Sequence, residues 1–90
     1  MNGGGGAVRV LYFAWLRERA GTGEETITLP GDETTIAALI ALLSAQSPGH
    51  AAAFALRTSV RAAVNQVFAG PDTKVRPGDE VAFFPPVTGG

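Results

Sequence analysis

The stretch Pro77–Gly90 reads PGDEVAFFPPVTGG and decides the fold prediction for this chain. Pro77-Gly78 predicts a turn, and Glu80–Phe84, with one valine and two phenylalanines, predicts a strand. Pro85-Pro86 has no N–H for a sheet ladder, so the strand must end there. We therefore predict a last strand followed by a flexible tail, 87–90, whose final two residues are glycines.

Two further strands are predicted in the N-terminal part of the chain. Val8–Phe13 (VRVLYF) and Glu25–Leu29 (ETITL) are rich in β-branched and aromatic residues. Between them Ala14–Ala20 favours a short helix, which Gly21 stops. Gly-rich residues 1–7 precede the first strand and are predicted to be a flexible leader.

One main helix is predicted after the second strand. Thr35 is a suitable N-cap, and the helix should run to about Gln46. Its apolar positions follow the i, i+3, i+4, i+7 pattern: Ile36, Leu39, Ile40 and Leu43. Pro48-Gly49 should break the pattern, and Ala51–Leu56 predicts one more helical turn. This apolar stripe needs a sheet to cover it.

The remaining strands complete an α+β architecture. Val60–Gln66 predicts a third strand, and Val67–Ala69 either continues it or forms a short neighbour, ahead of Glu80–Phe84. This order favours a roll in which a mixed sheet of four to five strands packs on one main helix. The first and last strands would lie side by side, as in the β-grasp (ubiquitin-like) fold, with the domain spanning 8–86.

Composition excludes several classes of function. The chain has 90 residues, a net charge of −1 and no cysteine, so it has no disulfide, no thiolate metal site and no cysteine nucleophile. His50 alone cannot hold a metal. Scattered basic residues argue against nucleic acid, and no apolar run approaches the ~20 residues of a membrane span. Without a signal-peptide pattern, we expect a cytoplasmic protein.

The second face of the sheet is predicted to bind a partner. A sheet covered by a helix on one side should alternate apolar and polar residues, yet here the alternation fails. If Val10 and Phe83 face the helix, then Leu11, Phe13 and Phe84 face outward, and Phe68 joins them from the next strand. Clustered exposed apolar side chains indicate an interaction surface, with Arg17 as a polar rim residue.

The glycine end of the chain suits transfer chemistry. Val87, Thr88, Gly89 and Gly90 span at most ~14 Å when extended, enough to thread a pocket on a partner. A carboxylate becomes reactive when ATP converts it to an acyl adenylate. Sulfide or a persulfide can then displace AMP to give a thiocarboxylate, or a lysine can form an isopeptide bond. The two glycines alone do not separate these outcomes.

Three motifs together resemble the small subunit of molybdopterin synthase: VLYFAWLRERAG (Val10–Gly21), AAVNQ (Ala62–Gln66) and the segment that begins at Pro77. The resemblance implies that Gly90 is adenylated by an enzyme of the ubiquitin-activating type and becomes a thiocarboxylate. It also implies a heterotetramer with the large subunit, to which the tail donates sulfur for the dithiolene of molybdopterin.

The resemblance further implies which residues bind and which reactions belong elsewhere. Phe13, Arg17, Phe68 and Phe84 fall at family contact positions. The chain itself would bind no cofactor and would not be catalytic alone, since ATP is used by the activating enzyme. A sulfur carrier for thiamine or cysteine synthesis, a protein modifier and an inert binding module remain open alternatives.

Several polar residues are interpreted as structural or solvated. Glu24-Glu25 and Asp79-Glu80 are adjacent in sequence, so their side chains diverge in a strand, and both pairs are expected in solvent. Asn65 is expected to hydrogen-bond near a turn. His50 follows Pro48-Gly49 and is expected to be exposed.

Overall fold

The computed structural model describes residues 6–86, which form two sheets and three helices. The strands are β1 (Ala7–Tyr12), β2 (Glu24–Thr28), β3 (Thr34–Thr35), β4 (Arg61–Val64), β5 (Val67–Ala69), β6 (Lys74–Val75) and β7 (Glu80–Phe84). The helices are α1 (Trp15–Ala20), α2 (Ile36–Ser44) and α3 (Pro48–Ala53), with a 3-10 turn at Arg57–Ser59.

Five strands form one mixed sheet in the order β2-β1-β7-β4-β5, and β3 pairs with β6 separately. The first and last strands, β1 and β7, lie side by side and parallel in its centre, with Val10 opposite Val81. The other pairs in the sheet are antiparallel. The predicted β-grasp arrangement is therefore confirmed, and β7 has the predicted bounds.

The core lies between α2 and one face of the central strands. Strand positions Val10, Val81 and Phe83 are fully buried, as are Leu39 and Leu43 of the helix. Burying an aliphatic or aromatic side chain contributes ~1.5–3 kcal/mol, so this interlocked layer is the main source of stability. The prediction that the Val10 and Phe83 side faces the helix is confirmed.

The predicted helix ends are set by local chemistry. Thr35 caps α2 as expected, since its hydroxyl accepts a hydrogen bond from the Ala38 amide at 3.1 Å. The helix ends at Ser44, two residues before the predicted Gln46. Gly21 ends α1 in the left-handed conformation, with φ of 85°.

The main helix ends before Pro48, as expected, but the helical turn predicted at Ala51–Leu56 begins earlier, because α3 starts at Pro48 and ends at Ala53. Proline is tolerated in the first helical turn, where its missing N–H has no intrahelical partner. Ser47 caps the helix by accepting from the amide of His50 at 3.1 Å. Phe54, just after the helix, is buried in the core and had not been assigned a role.

His50 is buried, so the expectation that it is exposed is wrong. Its Nε2 lies 2.7 Å from the Glu25 carboxylate, and its Nδ1 lies 2.7 Å from the Ser47 hydroxyl. The Tyr12 hydroxyl donates to the same carboxylate at 2.7 Å. This network joins α3 to β1 and β2. A buried polar group needs such partners, because leaving it unpaired costs ~1–3 kcal/mol.

Glu25 is consequently not the solvated charge that was expected, although its neighbour Glu24 is exposed. Burial, together with the Glu25 carboxylate, raises the pKa of Tyr12 well above its ordinary value, so the phenol stays a donor. Ser47, His50 and Glu25 are ordered like a hydrolase triad. The Ser47 oxygen, however, is used as a helix cap, so the trio acts as a structural clamp.

The turn between β4 and β5 is built on Asn65. Its side chain donates to Asp79 at 2.9 Å and accepts from the Glu80 amide at 3.0 Å. Asn65 has φ of 50°, a left-handed conformation that asparagine tolerates. The structural role predicted for Asn65 is confirmed, and the turn shortens the third strand from the predicted Val60–Gln66.

Candidate docking face and tail exit

The sheet face opposite α2 carries a row of apolar side chains, which we call the docking face. Strand register places Leu11 beside Ala82, Ala82 beside Ala63, and Ala63 beside Phe68, across four strands. Neighbours in register share a face of the sheet. Within this row Phe68 is exposed, Leu11 and Ala82 are partly buried, and Ala63 is buried.

Three phenylalanines lie on this face near the end of β7. Phe68 is 80% exposed, Phe13 is 49% exposed and Phe84 is half-buried. The ring centroids of Phe68 and Phe84 lie 6.0 Å apart. The Phe13 amide donates a hydrogen bond to the Phe83 carbonyl, which places Phe13 alongside Phe84. The structure thus brings the three predicted aromatic residues to one face; their binding of a partner stays a prediction.

The chain leaves the sheet beside these aromatic rings. Phe68, Phe84 and Pro86 line an open groove of about 300 Å³, and Arg61 stands at its rim. Pro86 is the last described residue, so the exit of the chain is part of this groove. The predicted tail, Val87 to Gly90, lies outside the described residues.

Arg17 lies on α1 and is exposed. Its guanidinium packs over Gly23, where a Cβ would come within 3.1 Å of the Arg17 Nε. Ala14, which starts the helix, has φ of 55° and ψ of −135°, a conformation that favours glycine. A strained backbone of this kind costs ~1–3 kcal/mol and is often found at functional sites.

The other end of the docking face is charged. Arg9 pairs with Glu24 at 2.6 Å and with Glu80 at 3.5 Å, and all three belong to neighbouring strands. The hydrogen bond from Arg9 lowers the pKa of Glu24, and the same contact raises the pKa of Arg9. The docking face is therefore polar at one end and apolar where the tail leaves.

Sequence reasoning missed two residues of this region, Ala63 and Arg61. Ala63 is only 8% exposed although it lies on the outer face, and it spaces the row between Ala82 and Phe68. Side chains alternate along β4, so its register with β7 places both Arg61 and Ala63 on the docking face. Ala63 was missed because its small side chain gives a weak apolar signal, and Arg61 because a lone arginine in a strand is usually a solvated surface residue.

Within residues 6–86 no group of three or more His, Asp or Glu side chains could hold a metal ion. In the same range, no helix has the length and apolar character needed to cross a membrane.

The central parallel pair, the antiparallel flanking strands and the main helix packed on the sheet define a ubiquitin-like β-grasp domain. The chain belongs to the ThiS family, whose model matches residues 10–90.

Comparisons with individual proteins agree with this placement. The molybdopterin synthase sulfur carrier subunit of Escherichia coli is 43% identical over 83 residues, 92% of this chain and 99% of that protein. The solved structure of a putative molybdopterin converting factor, subunit 1, from Pyrococcus furiosus matches with a TM-score of 0.76 at 32% identity. The match covers 91% of this chain and 99% of that chain. The crystal structure of small archaeal modifier protein 1 of H. volcanii matches with a TM-score of 0.70 at 29% identity. The match covers 92% of this chain and 100% of that chain.

Proposed function

We propose that this chain is the sulfur carrier subunit of a molybdopterin synthase and carries sulfur as a thiocarboxylate at Gly90. The observation that carries the proposal is the exit of the chain at Pro86, beside an exposed aromatic face. Its similarity to the E. coli carrier along nearly the full length supports the same role.

Loading of the tail begins at the Gly90 carboxylate. A ubiquitin-activating-type adenylyltransferase joins it to AMP from ATP, with release of pyrophosphate. Sulfide displaces AMP and leaves the thiocarboxylate directly. A persulfide instead displaces AMP to form an acyl disulfide, and a thiol reductant then cleaves its S–S bond to release the thiocarboxylate. Because glycine has no Cβ, the reacting carbonyl meets no side chain in a narrow channel. Since loading consumes ATP, we place it in the cytoplasm.

Discharge requires a second partner, the large subunit of the synthase. The docking face binds it, and the tail extends ~14 Å into its active site. There the thiocarboxylate sulfur is donated to cyclic pyranopterin monophosphate, and water restores the Gly90 carboxylate. Two transfers give the dithiolene, and two carriers with a dimer of large subunits form the heterotetramer.

A protein modifier is the second candidate, favoured by the likeness to small archaeal modifier protein 1. Both functions begin with an adenylate at Gly90. They diverge at the nucleophile, which is sulfur for a carrier and a lysine amine for a modifier. Carriers for thiamine or cysteine synthesis share the loading step and differ only in the acceptor.

Reconstitution separates these candidates. The chain is incubated with its activating enzyme, ATP and a sulfur source, and then with large subunit and pyranopterin precursor. We expect dithiolene product that depends on every component. A chain that loads sulfur and yields no dithiolene indicates another sulfur pathway, and lysine conjugates without a thiocarboxylate indicate a modifier.

A further inference from the structure

A second groove, on the helix side of the sheet, has no role in the function proposed above. It has a volume of about 370 Å³ and is open to solvent. Ile36 and Ile40 of α2 line one part, and Ala62 and Ala69 of β4 and β5 line another. Since these two alanines face each other in register, their small side chains leave the hollow beside the helix.

The rim of this groove carries two arginines. Arg57 is exposed on the 3-10 turn, and Arg61 is held by a hydrogen bond from its guanidinium to the Thr58 carbonyl at 3.4 Å. Neither pairs with a carboxylate of residues 6–86. Asp72, near the groove in sequence, does not line it.

The helix end beside the groove does not serve as an anion site. The first two amides of α2 already donate to carbonyls, from Ile36 to Thr73 at 3.1 Å and from Ala37 to Pro71 at 3.0 Å. The guanidinium groups are therefore the donors that the groove offers. Arginine favours carboxylates, because its planar fork can donate two parallel hydrogen bonds.

We propose that this groove binds an extended segment of a partner protein in which aliphatic side chains are flanked by carboxylates. The aliphatic side chains would cover Ile36, Ile40 and the two alanines, and the carboxylates would pair with Arg57 and Arg61. An open groove can hold an extended peptide that enters at one end and leaves at the other, whereas a small-molecule pocket usually encloses most of its ligand. Two arginines on a chain of net charge −1 are too few for a nucleic acid.

The two grooves lie on opposite sides of the β4–β5 edge and share Arg61, Ala62 and Ala69. A peptide in the second groove would leave Phe68, Phe84 and Pro86 uncovered, because these three residues line only the groove at the tail exit. A carrier must bind a loading enzyme first and an acceptor afterwards. A separate contact in the second groove would let one partner stay bound while the docking face releases the first protein and binds the next.

The test is selection of a displayed random-peptide library against the full chain, followed by fluorescence polarisation of the enriched peptides. We expect sequences with aliphatic centres and acidic flanks. Ala69→Leu, which fills the groove, should weaken their binding at least tenfold. Arg57→Glu, at an exposed position that tolerates substitution, should weaken it about tenfold and reduce its dependence on salt.

The matched control is Phe68→Ala, next to Ala69 on the other face of β5, which should bind the peptides unchanged. A chain ending at Pro86 should also bind them unchanged, so a failure of tail chemistry is a separate result. Enrichment of no peptide, of peptides without acidic residues, or of peptides indifferent to both groove variants would overturn the proposal.

Discussion

Phe68→Ala should weaken binding of the large subunit while leaving the fold almost unchanged. Burying a phenylalanine contributes ~1.5–3 kcal/mol. Because Phe68 is 80% exposed in the free chain, about a fifth of that contribution is already present, or ~0.3–0.6 kcal/mol. The remaining ~1.2–2.4 kcal/mol becomes available on docking, which corresponds to a loss of about 7- to 50-fold in affinity.

The measurement is a calorimetric titration of the large subunit with each variant, beside urea unfolding of the free chain. Val67→Ala is the matched control, since Val67 is 68% exposed on the same strand but shares the helix side with Val64. We expect its affinity to stay within about twofold. Equal losses in the two variants, or no loss in Phe68→Ala, would refute the placement of the docking face.

Three further predictions concern stability. Hydrogen bonds from the Arg76 amide and the Asn65 side chain lower the pKa of Asp79, so their stabilisation is present at neutral pH and is lost as the pH falls below about 4. The stability difference between wild type and Asp79→Asn should therefore shrink in acid, as urea unfolding at several pH values would show; a constant difference would contradict it. His50→Ala should lower the free energy of unfolding by ~1–3 kcal/mol, because the half-buried Glu25 carboxylate loses a hydrogen-bond donor. A free energy of unfolding equal to that of wild type would show that this network does not stabilise the fold. Ala14→Gly should raise the free energy of unfolding by about 1 kcal/mol, since glycine relieves the positive φ; a loss of stability in thermal unfolding would show that Ala14 is not strained.

The sequence allowed prediction of the elements whose signals are local. Thr35 as a helix cap, Gly21 as a helix stop and Pro85 as a strand end each depend on neighbouring residues, and the structure agrees for all three. The outward side of Phe84 followed from failed alternation, because a strand has only two faces. Ser47-Pro48 was also a local signal for a helix start, but proline was interpreted only as a breaker.

Features that depend on tertiary contact were not predicted. His50 and Glu25 are far apart in sequence and meet only because α3 packs near the edge of the sheet. The second groove exists because Ala62 and Ala69 are paired in register, and that pairing depends on the turn after β4. Such features follow from the topology, which periodicity does not encode.

The central claim is that sulfur is carried at the end of the tail, and intact mass spectrometry of the chain tests it most directly. After incubation with activating enzyme, ATP and a sulfur source, we expect the mass to rise by the difference between one sulfur and one oxygen atom. Fragmentation should place the increase on Gly90, and a chain lacking Gly90 should fold normally and show no increase. An unchanged mass, or sulfur located on any other residue, would contradict the account.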